Sequence, residues 1–133
     1  RRRPKHCVHL YDVTAPGKVS GASVFAELAV QNEATAQIGN QPDGMCLDAA
    51  GNLYVAHYGM QQVQVLDPTG KLIRQFDGGN TTTSNVAFGG PKMDQLFITG
   101  GLGPEAGPGG LFRLDLNIPG HTVPGLTILP PRR

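Results

Sequence analysis

The stretch Asp43–Phe76, DGMCLDAAGNLYVAHYGMQQVQVLDPTGKLIRQF, decides the fold. It divides into four short segments rich in apolar and β-favouring residues, MCLD, LYVAHY, VQVLD and LIRQF, separated by AAGN, GMQQ and PTGK. Segments of this length are too short for stable helices, and their composition suits a pleated surface. Connections this tight join only antiparallel neighbours. The spacing therefore predicts a four-stranded antiparallel meander.

The same unit continues on both sides. After Phe76 come SNVAFGG, QLFITGG, a longer glycine-rich connection GLGPEAGPGG, and LFRLDL; before Asp43 only HCVHLYDV and SVFAEL read as strands. CVHLYDVTAPGK from Cys7, VQVLDPTGK from Val63 and LFRLDLNIPG from Leu111 are one strand met three times, each alternating, reaching an aspartate and breaking into a turn. The spacings Asp12 to Asp67 and Asp67 to Asp115, 55 and 48 residues, lie somewhat above the roughly 40 to 45 of a WD-type blade. The expected fold is all-β, a β-propeller of about two and a half four-stranded blades. A partial ring leaves apolar blade faces in water, so the chain is expected to be the C-terminal part of something longer or to self-associate.

Composition agrees. With 133 residues, 39% of them apolar, and with Gly 19 and Pro 11, there is room for one globular domain and little for long helices. Arg1, Arg2, Arg3, Lys5, Arg132 and Arg133 hold six of the eleven basic residues, whereas residues 6–131 carry all ten carboxylates. An acidic body is a poor surface for tracking phosphates, so no nucleic-acid partner is expected. Residues 1–5 read as a basic tail, 6–120 as the partial propeller, and 121–133 as a proline-rich tail. No run approaches the roughly 20 apolar residues of a membrane span. The opening RRRPKHCVHLYDV lacks a secretory h-region, and the expectation is a cytoplasmic protein. Cys7 and Cys46 lie in separate strand-like runs without CxxC spacing and read as buried thiols. Asn80-Thr81-Thr82 matches the glycosylation tripeptide, which carries no weight without a secretory route.

Two aspartates in the quoted stretch differ in kind. Asp48 precedes AAGN, where an aspartate serves turn chemistry, but Asp43 follows a proline just ahead of an apolar strand. Pro-Asp-Gly is a strong β-turn tripeptide, in which the aspartate bonds its own backbone. Ser84 and Asn85 occupy the corresponding place in the following unit, as substrate or supporting contacts or as polar residues finishing a turn. His57, in VAHYG, either lines a central channel or is an imidazole bonded to a strand carbonyl. His6, His9 and His121 are too widely spaced for a ligand pattern. Gly89 and Gly90 read as a bend where strands crowd. GLGPEAGPGG is followed by a strand and not a helix, which excludes a dinucleotide loop and suggests a rim loop.

PDGMCLDAAGNLYVA, with VQVLDPTGK, TSNVAFGG, QLFITG and GGLFRLDL, resembles the C-terminal portion of the SMP-30/gluconolactonase family of six-bladed propeller lactonases. YDVTAPGKVSGASVFAEL resembles the outer strands just before that family's Pro-Asp-Gly blade, so the likeness runs from about Tyr11 to Gly120. It implies that Asp43 faces the channel, binds one divalent cation and acts as general base. The family's other ligands, an early glutamate and an asparagine in a Ser-Asn-Gly element, have no counterpart here. A carboxylate with amide and water oxygens suits calcium, the first expectation, or magnesium or manganese, with zinc also possible. The implied activity is metal-dependent hydrolysis of a sugar lactone or related cyclic ester, weak or absent in the isolated chain. No serine nucleophile is needed, in keeping with the lack of a GxSxG or HExxH motif. The alternative is a binding module of the NHL-repeat kind, whose rhythm the quoted stretch shares. The GLGPEAGPGG insertion and the acidic body weigh against it.

Overall fold

The computed structural model describes residues 6–30, 39–102 and 107–122. The basic segment 1–5, residues 103–106 of the glycine-rich connection and residues 123–133 of the proline-rich tail lie outside the described residues.

Nine strands form three antiparallel sheets, and no helix occurs among the described residues. β1 (Cys7–Ala15) pairs with β2 (Lys18–Glu27). β3 (Gln41–Leu47), β4 (Leu53–Tyr58), β5 (Gln62–Leu66) and β6 (Leu72–Asp77) make a four-stranded sheet in that order, and β7 (Thr82–Gly89), β8 (Gln95–Gly101) and β9 (Gly109–Asp115) a three-stranded one. The quoted stretch is thus one complete blade, flanked by half of one and three strands of another, and the architecture is a partial β-propeller. β1, β5 and β9 hold the three stretches recognised as one repeated strand. Asp67 and Asp115 stand at or beyond their strand ends, whereas β1 runs on past Asp12 to Ala15 and turns at Pro16–Gly17. The ribbon is longer than the repeat predicts.

The alternation of β4 and β5 explains why the central blade holds the molecule together. Tyr54, Ala56, Val63 and Val65 face β7 and β8, where they pack with Val86, Leu96 and Ile98. Val55 and Leu66 face the other way and pack with Val8, Ala26 and Leu28 of the β1–β2 ribbon and its continuation. Complete burial of an aliphatic side chain stabilises by about 1.5–3 kcal/mol. A sheet apolar on both faces gains this twice, once against each neighbour. Phe88 meets Tyr54 edge-on with ring centroids 5.0 Å apart, and Phe76 lies nearly parallel to Tyr54 at 6.5 Å. Away from this core the ribbon exposes Leu10, Tyr11, Val13, Val19 and Val24, the uncovered blade face expected of a partial ring.

The turns use aspartates as clamps. Asp48, 1% exposed, accepts hydrogen bonds from Ala50 N (2.9 Å), Asn52 N (2.9 Å) and Asn52 Nδ2 (2.8 Å). Asp67 accepts from Thr69 N (2.8 Å), Thr69 Oγ1 (2.6 Å) and Lys71 N (3.1 Å), bonds that hold its carboxyl below its ordinary range. Asp48 has the turn role its position predicts. Cys7 and Cys46 are both free thiols, Cys7 buried and Cys46 half-buried, and burial pushes the Cys46 thiol up to about 11.

Candidate functional site

β3 and β7 each form the first edge of their sheets and lie side by side where the two blades meet. The β4–β5 and β6–β7 turns emerge at the end where β3 and β7 begin. Gly59 N donates to Thr81 O (2.8 Å) and Gly78 N to Gln61 O (2.9 Å), tying the two turns together. The β8–β9 connection leaves from the same end, since Thr82 pairs with Gly101 and Gly101 with Gly109. All the polar candidates of the sequence lie near this end.

Pro-Asp-Gly does not make a turn. Gln41–Leu47 is one strand, longer than the expected start at Met45, and its register slips between Pro42 and Met45. Pro42 opposes His57 and Met45 opposes Val55, so Asp43 and Gly44 together oppose Ala56. This is a β-bulge, the usual device for re-aiming a side chain at a sheet edge. An edge position also tolerates Pro42, which has no N–H to donate. β7 carries a matching slip between Thr83 and Asn85.

Gly44 has a different task from the one its tripeptide suggests. Its φ is not among the positive values of the chain, so left-handed backbone is not what requires a glycine. A methyl on Gly44 would overlap the Asn85 side-chain amide outright and lie 2.9 Å from Asn85 Cα. The glycine lets the two inner strands approach. Sequence reasoning missed this, because a close inter-blade contact leaves no local signal beyond the glycine itself.

Asp43 is exposed at the bulge, and neither carboxylate oxygen accepts a hydrogen bond from any described residue. Asp48, Asp67, Asp77 and Asp115 differ in that each accepts bonds from its turn or a neighbouring strand. Ser84 donates to Thr99 O at 3.2 Å and so is tied to β8. Asn85, also exposed, accepts from Val86 N through Oδ1 at 2.9 Å. Gly44 thus brings Asn85 up against the Asp43 bulge. His57 stands apart from this group, wholly buried and sharing the face of Val55 toward the ribbon. Its Nδ1 lies 3.4 Å from Tyr58 O, and its Nε2 has no partner among the described residues. Burial, reinforced by nearby His6, lowers its basicity below the usual 6.5. At the opposite end of β3 an apolar cleft of about 440 Å³, lined by Met45, Cys46, Leu47, Phe88, Met93 and His121 among others, offers no carboxylate.

No group of three or more His, Cys, Asp or Glu able to hold a metal ion occurs among the described residues. Asp43 offers two unengaged, hard oxygens. That fits one ligand of an oxygen-rich cation site whose remaining ligands come from elsewhere, and not a complete site.

The family model described as the SMP-30/Gluconolactonase/LRE-like region matches residues 3–101. Pentonolactonase XacC of Haloferax volcanii is 35% identical over 92 residues, 60% of this chain and 32% of that protein. The chain therefore spans about a third of the length of this curated relative. Among solved structures, a luciferin-regenerating enzyme superposes with a TM-score of 0.69 at 24% identity, covering 88% of this chain and 40% of that one, a likeness of fold alone. The calcium-binding protein regucalcin of Agrobacterium tumefaciens superposes with a TM-score of 0.58 at 26% identity, covering 71% of this chain and 30% of that one.

Proposed function

Since the chain belongs to the SMP-30/gluconolactonase/LRE-like family, we propose that it forms part of a hydrolase that opens a sugar lactone or related cyclic ester with water, and that Asp43 is metal ligand and general base. The observation that carries this is Asp43 itself, exposed at the inner-edge bulge with both oxygens unclaimed. Two likenesses support it: a relative named as a pentonolactonase and a neighbour described as calcium-binding. Calcium is accordingly the first cation to test.

A bound divalent ion would polarise the lactone carbonyl and favour the oxyanion formed when water adds. Asp43 takes the proton from the attacking water as the new C–O bond forms. The ring C–O bond then breaks, and the departing ring oxygen gains a proton and becomes the hydroxyl of the open acid. A base so placed typically contributes about 10² to 10⁴-fold. One carboxylate cannot hold a divalent ion alone, so the remaining ligands are assigned to blades beyond these residues, and the 133 residues alone should show little turnover.

The test is Asp43→Asn in the protein with its full set of blades. Turnover of a sugar lactone should fall by about 100-fold or more, calcium affinity by calorimetry should weaken, and the thermal transition should stay within a few degrees. Near-normal turnover in that variant would reject the assignment.

A further inference from the structure

Beside Asp43 the structure leaves one directed donor. Oδ1 of Asn85 accepts from Val86 N at 2.9 Å, and only the carbonyl oxygen of an amide can accept from an N–H, so the orientation of the group is fixed. Nδ2 is then the remaining end, a two-proton donor with no partner among the described residues. The side chain cannot retreat into the blade, because it sits against the bare Cα of Gly44, the residue after Asp43. Ser84, the other polar residue of the β7 bulge, already donates to Thr99 O. The two facing bulges thus set an unclaimed acceptor, Asp43, next to an unclaimed donor, Asn85.

We propose that Asn85 is a substrate-orienting residue whose Nδ2 donates a hydrogen bond to an oxygen of the sugar lactone held at Asp43. This rests on the reading under Proposed function and adds to it a contact specific to oxygen-rich ligands. The role suits an amide: a donor pre-aimed by its own Oδ1 anchor binds a neutral hydroxyl or carbonyl oxygen without bringing a charge next to the Asp43 carboxylate. Orientation of this kind acts on substrate binding and leaves cation affinity alone.

The test uses the protein with its full set of blades and a neutral probe that water does not open, the lactam analogue of glucono-1,5-lactone, titrated in calcium buffer. In Asn85→Ala, and in the isosteric Asn85→Asp, which keeps the acceptor for Val86 N but loses the donor, lactam affinity should drop about 3- to 10-fold, the worth of one neutral hydrogen bond. Calcium affinity of the alanine variant should stay within about two-fold, given the stated independence of the two contacts. The Asn85 side-chain NH₂ resonances, assigned by their loss in the alanine variant, should shift when lactam is added to the wild type. Unchanged lactam affinity in both variants overturns the proposal, as does loss in the aspartate variant only, or a fall in calcium affinity proportional to that for lactam. If the wild type binds the lactam, Asp43→Asn loses calcium and Asn85→Ala is silent, only the Asn85 assignment falls. If the wild type binds neither lactam nor calcium, both readings fall together.

Discussion

Replacing Gly44 with alanine tests the contact on which the site depends. A methyl at that position would overlap the Asn85 amide and lie 2.9 Å from Asn85 Cα, where carbon atoms at rest stay about 3.5–4.0 Å apart. Rotation could move the amide, at the cost of its bond to Val86 N, but the Cα belongs to the main chain. β7 would have to withdraw from β3 by about half an ångström at least to restore that spacing. Overpacking of this kind costs about 1–3 kcal/mol. The change also restricts the unfolded chain, which returns about 0.4–1 kcal/mol. The expected net loss is about 1–2 kcal/mol, read as a lower urea midpoint at unchanged slope. The double variant Gly44→Ala with Asn85→Ala removes the amide from the clash and should recover at least half of that loss. A glycine needed for a left-handed turn would give the opposite pattern, since no change at Asn85 could relieve it. Failure of the second substitution to rescue, or a single variant as stable as the wild type, would refute the reasoning.

Two further outcomes concern stability. His57 is held neutral by burial, with its basicity below the usual 6.5. As pH falls below 6.5 the unfolded chain takes up this proton first, so the stability due to His57 is complete above 6.5 and declines toward its lower folded value. Denaturation midpoints between pH 7.5 and 5 should fall with pH in the wild type and fall less steeply in His57→Gln; equal slopes would exclude His57 as the cause. Asp48→Ala leaves the three close donors from Ala50 and Asn52 without their acceptor. It should cost about 2–4 kcal/mol, and Asp48→Asn about half as much, by equilibrium urea unfolding; a loss under about 0.5 kcal/mol would remove the turn clamp from the account.

The blade was legible because its signals are local. Alternation in LYVAHY and VQVLD, with PTGK between VQVLD and LIRQF, fixes β4, β5 and β6 without reference to anything distant, and the repeat of VQVLD in LFRLDL extends the same reading to β9. Asp48 was legible for the same reason, since an aspartate bonded to N–H groups two and four residues on is a property of one turn. Pro42–Gly44 was harder. As a tripeptide it points to a turn, and only pairing with β4 and approach by β7 make it a bulged strand. The relation of Asn85 to Asp43 spans 42 residues of sequence and depends on how two blades pack, which no window of local composition encodes. His57 shows the same limit. Its neighbours suit a channel position as well as a buried one, and the parity of β4 against the ribbon places it in the interior.

The bulge also explains why the acid can stand where it does. In a regular strand, successive residues point to opposite faces, so an inner-strand acid would either enter the packed seam against β7 or stand opposite it. The extra residue breaks that choice. Gly44, with no side chain, fills the tight seam against Asn85, and Pro42 occupies an edge position where a missing N–H is tolerated. Asp43 is thereby relieved of both packing and ladder duties, which is why its carboxylate alone among the aspartates of the central blade keeps both oxygens free of the described residues. A carboxylate engaged as Asp48 is, by two backbone N–H groups and an amide, would have to give up those bonds before binding a cation or taking a proton from water. One that is unengaged and rigidly backed by a glycine seam meets either partner without that loss.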